Sequence, residues 1–143
     1  MSVLQIHNLS KSYGKVKALN DVSFDVPGGS VFGLLGPNGS GKTTLLSIIL
    51  DILGPDAGSY SWFGQPSTHV HRQHIGSLLE TPNFYHYLSA VQNLRVTQSI
   101  SQRGDEIAIE NVLKTVNLYD RRNSRFSTYS LGMKQRLAIA AAL

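Results

Sequence analysis

The chain has 143 residues, no cysteine and a formal net charge of +4. That length supports one hydrophobic core, or one core with a small subdomain, and the missing cysteines exclude disulfides and thiolate metal sites. No apolar run approaches bilayer-crossing length and the N-terminus lacks a secretory signal, which suits a cytoplasmic protein. The basic residues are scattered apart from Arg121, Arg122 and Arg125 and are not interleaved with aromatics, so nucleic acid is not the expected partner.

Val3 to Leu9 and Ala18 to Val26 alternate apolar and polar residues with the two-residue period of half-exposed strands, closed by the turn Pro27-Gly28-Gly29. The apolar run Val31 to Leu35 predicts a strand leading into a glycine-rich loop. A helix is predicted from about Lys42 to Leu53, stopped by Gly54-Pro55. Gly58 to Gly64 reads as another strand, and Ile75 to Leu79 as a short apolar strand ending at Glu80, broken by Thr81-Pro82-Asn83. From Ser89 onward the spacing becomes helical, in Val91, Leu94 and Val96 and then in Ile107, Ile109, Val112, Leu113 and Val116. The last element, Leu131 to Leu143, stops in mid-pattern without a cap or a following acidic strand, so the chain is expected to be incomplete at its C-terminal end.

Gly36-Pro37-Asn38-Gly39-Ser40-Gly41-Lys42-Thr43 matches the phosphate-binding pattern G-x-x-x-x-G-K-[ST] in full, between a predicted strand and a predicted helix. The glycines let successive N–H groups wrap phosphates at the positive end of the helix, Lys42 reaches the β- and γ-phosphates, and Thr43 supplies a hydroxyl ligand for Mg²⁺. Thr44 follows in the same first turn. The octet predicts a nucleoside triphosphate ligand with Mg²⁺.

Three further segments resemble the ATP-binding subunit of ABC transporters. Tyr129-Ser130-Leu131-Gly132-Met133-Lys134-Gln135-Arg136 is similar to the family's signature L-S-G-G-Q-x-Q-R. Ser130 and Gly132 match, while Tyr129, Leu131 and Met133 replace the usual Leu, first Gly and Gln. The variant looks like that of bacterial exporters in the drug, bacitracin and lantibiotic-immunity group. Lys11-Ser12-Tyr13-Gly14 lies where the family places an adenine-stacking aromatic, which would be Tyr13, with Val16 beside it in the cofactor set. Ile75 to Glu80, followed by Pro82, Phe84 and Tyr85, is similar to the loop joining core to helical lobe. The family often has Gln where this chain has Glu80.

The resemblance implies an α/β fold: a P-loop NTPase core with an N-terminal antiparallel β subdomain over residues 1–80, and an α-helical subdomain over residues 81–143. It implies a head-to-tail dimer with a second nucleotide-binding domain, in which Ser130 and the Gly132 amide meet the γ-phosphate held by the opposite subunit. It also implies an integral membrane partner at the inner face of the cell membrane. Glu80 would lie near Mg²⁺ or the attacking water, making Lys42, Glu80 and Ser130 the implied catalytic set. The family's later acidic strand, catalytic Glu and switch His have no counterpart here, so the chain alone is expected to bind ATP without hydrolysing it. A soluble ABC-type ATPase acting on nucleic acid or ribosomes is the alternative.

Plainer readings stand beside these. Tyr13 could be a strand aromatic in the core, Glu80 an ordinary cap before Pro82, and Ser130 merely the N-cap of the final helix. His69, His71 and His74 lie within six residues, but without a nearby carboxylate they read as a solvated loop rather than a metal site. Phe84, Tyr85 and Tyr87 read as local packing or as part of a groove for the membrane partner's helix.

Overall fold

The computed structural model describes residues 1–66, 74–79 and 83–143. Two compact units, Met1–His74 and Ile75–Leu143, divide the chain.

In the first unit, β1 (Ser2–Tyr13) and β2 (Val16–Pro27) form a long antiparallel hairpin; β3 (Ala57–Trp62) pairs antiparallel with the other edge of β1, and β4 (Gln65–Pro66) extends the sheet. The strand order is β2-β1-β3-β4. Leu4, Ile6 and Leu9 of β1 are buried, a spacing that a strict two-residue alternation cannot give. Asn8 supplies the extra residue: its φ is 49°, its N–H donates to Ser23 Oγ at 2.7 Å and its amide to Asp21 Oδ1 at 2.7 Å. The pairing with β2 shifts at that point, so the bulge returns Leu9 to the core face.

Helix α1 (Lys42–Ile49) packs Leu45, Ile48 and Ile49 against Leu4, Ile6, Leu9 and Leu19. It ends earlier than the expected Leu53, because Asp51 turns left-handed at φ 63° and the Ile52 and Leu53 N–H groups fold back onto the Ser47 carbonyl. The Trp62 indole donates to the Ile49 carbonyl at 2.9 Å, filling an acceptor that the helix end leaves open.

The expected strand over Val31 to Leu35 is not formed. The run is irregular and exposed, with Phe32 stacked on Phe24 at 4.9 Å between ring centroids. Ile75 to Leu79 likewise lies outside any strand. Continuous apolar runs of this kind form strands in parallel sheets covered on both faces, and among the described residues no strand pairs with either.

The second unit is helical: α2 (Ala90–Ser101), α3 (Glu106–Thr115) and α4 (Leu131–Ala142), with single 3-10 turns at Tyr119–Arg121 and Phe126–Thr128. Its core joins Ala90, Leu94, Ile109, Leu113, Leu118, Phe126, Tyr129 and Leu137. The helix starts follow from the sequence. Ser89 and Gln92 form a reciprocal capping box on α2, and the Asp105 carboxylate accepts from the Ala108 N–H at 2.8 Å on α3. Arg95 forks onto both oxygens of Glu106 at 2.7 and 2.9 Å, which holds the exposed Glu106 carboxyl below its usual range and raises Arg95.

Candidate functional site

The loop preceding α1 adopts a geometry only its glycines permit. Gly41 is the N-cap of α1 at φ 88°, and a Cβ there would run into the Ala18 carbonyl of β2. At Gly36 a Cβ would press on Ser40 Oγ, so the loop closes on itself. Lys42 seals that closure: its Nζ donates to the Gly36 carbonyl at 2.7 Å, the Pro37 carbonyl at 2.8 Å and Ser40 Oγ at 3.3 Å. All three of these partners are neutral oxygens.

Helix α1 has no side-chain cap and no acidic residue in its first turn, whereas α2, α3 and α4 each carry a side-chain cap. The amides at the start of α1 therefore meet the macrodipole's positive end without an internal acceptor. Pro37, Asn38, Gly39, Ser40 and Thr43 are exposed and Thr44 is half-buried, so the cradle is open to solvent. A triphosphate fits this donor set: backbone N–H groups, one ammonium and, from Thr43, a hard hydroxyl oxygen of the kind Mg²⁺ prefers.

In the same unit, Tyr13 and Val16 pair across the tip of the β1–β2 hairpin, joined by Gly14 and Lys15. Tyr13 is 51% exposed, so it is a presented ring and not a core aromatic. The strand before it is held from β3's side: Asp56 accepts the Ser12 N–H at 2.7 Å and pairs with Lys11 Nζ at 2.8 Å. These bonds, first the side-chain one from Lys11, hold the Asp56 carboxyl below its ordinary range. This clamp is not legible in the sequence, where Gly54-Pro55 reads as the stop of a helix and Asp56 has no marked partner.

In the second unit, Ser130 caps α4, its Oγ accepting from the Met133 N–H at 3.3 Å. Ser130 and Gly132 are both exposed, and a Cβ at Gly132 would meet open space. Two anchors that sequence reasoning missed flank this start. The Tyr129 hydroxyl donates to the Arg121 carbonyl at 2.6 Å, and Arg136 donates to the carbonyls of Val116 and Asn117 at 3.3 and 3.1 Å, beyond the end of α3. Phe84 packs edge-on against Phe126, whereas Tyr85 and Tyr87 are exposed. Glu80, His69 and His71 lie outside the described residues; His74 is exposed, and no group of three metal-ligating side chains occurs among the described residues. Among those residues, no helix is long and apolar enough to cross a membrane.

A family model described as ABC transporter matches residues 19–143. This chain belongs to the ABC transporter family. It is 38% identical over 144 residues to the bacitracin transport ATP-binding protein BcrA of Enterococcus faecalis, covering 99% of this chain and 47% of that protein. It is also 38% identical over 141 residues to the lantibiotic transport ATP-binding protein SrtF of Streptococcus pyogenes, covering 99% of this chain and 61% of the relative. The chain thus spans about half the length of these curated relatives. Among solved structures, an ATP-binding subunit of an ABC transporter superposes with a TM-score of 0.84 at 29% identity, covering 99% of this chain and 61% of that one. The cbiO1 protein of Clostridium perfringens, part of the transporter complex cbiONQ, superposes with a TM-score of 0.85 at 25% identity, again covering 99% and 61%. The fold is that of ATP-binding subunits of the family: an α/β unit followed by a helical one.

Proposed function

We propose that this chain binds ATP in the loop Gly36 to Thr43 and serves as the energy-coupling subunit of an exporter of a drug or antimicrobial peptide. The observation that carries the reading is the start of α1. An uncapped helix N-terminus, a glycine loop folded on itself and a Lys42 ammonium held by neutral oxygens among the described residues converge on one open cradle. The amides and Lys42 bind and orient the phosphates, and Tyr13 with Val16 receives the adenine. Thr43 holds Mg²⁺, as would Glu80; the ion, when bound, neutralises charge on the phosphate oxygens. The exposed Ser130 and the Gly132 amide meet the phosphates of a second nucleotide-binding domain in a head-to-tail dimer. The likeness to bacitracin and lantibiotic transport proteins supports export as the task and an integral membrane subunit at the inner membrane face as partner.

For the chain as it stands the reading is ATP binding without hydrolysis. No carboxylate lies within the loop or the first turn of α1 to orient a water, and Glu80 is assigned here to the ion and not to the water. Calorimetry with ATP and Mg²⁺ tests the assignment. Lys42→Ala is expected to weaken binding at least tenfold through loss of the charge-assisted contacts, with phosphate release indistinguishable between the two proteins. Equal ATP affinity in both would sink the role of the loop, and Lys42-dependent turnover would overturn the binding-only reading.

A further inference from the structure

The clamp on β1 bears on how the site selects its ligand. The pairing of β1 with β3 ends at Ser10 and Ala57, so Lys11, Ser12 and Tyr13 extend beyond it. On its other side, β1 pairs with β2 through register shifts at Leu9/Lys11 and Lys11/Ser12. A hairpin tip of this kind frays readily. Asp56 continues the ladder with both its backbone and its side chain. Its N–H donates to the Ser10 carbonyl at 2.9 Å, one carboxylate oxygen takes the Ser12 N–H at 2.7 Å and the other takes Lys11 Nζ at 2.8 Å. Three consecutive residues leading to Tyr13 are thus held by one aspartate. Asp56 is itself fixed, with Pro55 restricting the backbone before it and Ala57 paired with β1 after it. Its carboxyl stays ionised at neutral pH, since Lys11 and the Ser12 amide hold it below the ordinary aspartate range.

We propose that Asp56 is a positioning residue that presents Tyr13 to the base, so that the site favours an adenine nucleotide over a bare polyphosphate. This rests on the reading of Tyr13 given above. Asp56 acts through the strand and leaves the phosphate cradle untouched; its removal should weaken the base-dependent part of binding alone.

The experiment compares calorimetric affinities for ATP and for inorganic tripolyphosphate, both with Mg²⁺, in the full chain and in Tyr13→Ala, Asp56→Ala and the double variant. Tyr13→Ala is expected to lose about tenfold in ATP affinity, the size of one aromatic–base stack, with tripolyphosphate affinity kept within about twofold. Asp56→Ala is expected to lose about fourfold for ATP alone, as when the ordered ring falls to about one fifth of the population and the rest binds as Tyr13→Ala does. The double variant should be no worse than Tyr13→Ala, because the clamp matters only through the ring. Unchanged tripolyphosphate binding also reports an intact cradle. Should Asp56→Ala fail to fold, Lys11→Gln removes one arm of the clamp and should give a smaller loss confined to ATP. Equal losses for both ligands, additive losses in the double variant, or no loss in Asp56→Ala beside a clear loss in Tyr13→Ala would overturn the inference. Unchanged ATP affinity in Tyr13→Ala would instead overturn the reading of Tyr13 itself, and the inference with it.

Discussion

The Tyr129 hydroxyl donates to the Arg121 carbonyl at 2.6 Å, tying the residue before the α4 cap to the 3-10 turn eight residues earlier. The family's signature has Leu at this place, and Leu has no hydroxyl to make the bond. Tyr129 is 5% exposed and its ring meets Phe126 at 6.1 Å, so the substitution both fills the core and adds a fastening beside Ser130.

Tyr129→Phe should therefore lower stability by about 0.5 to 1.5 kcal/mol, the net worth of one hydrogen bond, since the Arg121 carbonyl keeps the Ser124 N–H at 2.9 Å. The pH dependence gives a second signature. Burial pushes the Tyr129 phenol above its usual value, partly opposed by Arg121. The stabilisation is complete below the unfolded value, about 10, and is lost as pH rises through the raised folded value. Denaturant melts at pH 8 and at rising alkaline pH should converge for the two proteins. No gap at pH 8 would show that the hydroxyl bond contributes nothing, and a gap that stays constant to high pH would show that folding does not raise the phenol.

Asn93 is a fully buried polar side chain in the helical unit. It is 1% exposed; its carbonyl takes the Tyr85 N–H at 2.8 Å, and its amide donates to the carbonyls of Tyr85 and Ser89 at 3.1 and 3.0 Å. Asn93→Leu keeps the approximate volume but strands the Tyr85 amide. We expect a loss of about 2 to 4 kcal/mol and faster hydrogen exchange at Tyr85 than in the parent. An equally protected Tyr85 amide would mean that another acceptor had replaced Asn93.

The contrast between what was legible and what was not follows from the range of the interactions involved. The phosphate loop, the hairpin and the start of α4 are local, each specified by a few adjacent residues: glycines at fixed spacing, alternation on either side of Gly14, and a serine before a helical run. The Asn8 bulge and the Asp56 clamp were invisible because each depends on a partner from another strand. Val31 to Leu35 looked like a strand because its composition suits a sheet buried on both faces, but apolar composition alone supplies no hydrogen-bonding partner. The signature segment was legible as a variant. The compensation for its Tyr was not, since nothing in the sequence links residue 129 to the carbonyl of residue 121.

Gly41 offers a test of the loop's shape separate from its charge. At φ 88° an alanine is strained, and its methyl group would meet the Ala18 carbonyl and the Leu19 side chain. Gly41→Ala should weaken ATP and tripolyphosphate binding together by at least tenfold, while leaving the helical unit's melting unchanged if the two units unfold separately. Retained affinity for both ligands would mean that the cradle tolerates a different path at the start of α1.

Ser130 permits separation of a capping role from a phosphate-facing one, because aspartate caps helices as well as serine does. Ser130→Asp retains an acceptor for the Met133 N–H, now 3.3 Å from Ser130 Oγ, and adds a negative charge that suits the start of α4. The fold should be kept within about 0.5 kcal/mol on these grounds. The same charge would oppose the phosphates of a second nucleotide-binding domain, so nucleotide-driven dimerisation should be abolished while binding to the Gly36 to Thr43 loop is preserved. Ser130→Ala gives the converse, losing about 1 kcal/mol of cap without adding repulsion. Sedimentation with and without ATP and Mg²⁺, set beside thermal melts of both variants, separates the two roles. Normal ATP-dependent dimerisation of the aspartate variant would leave Ser130 as a helix cap and nothing more.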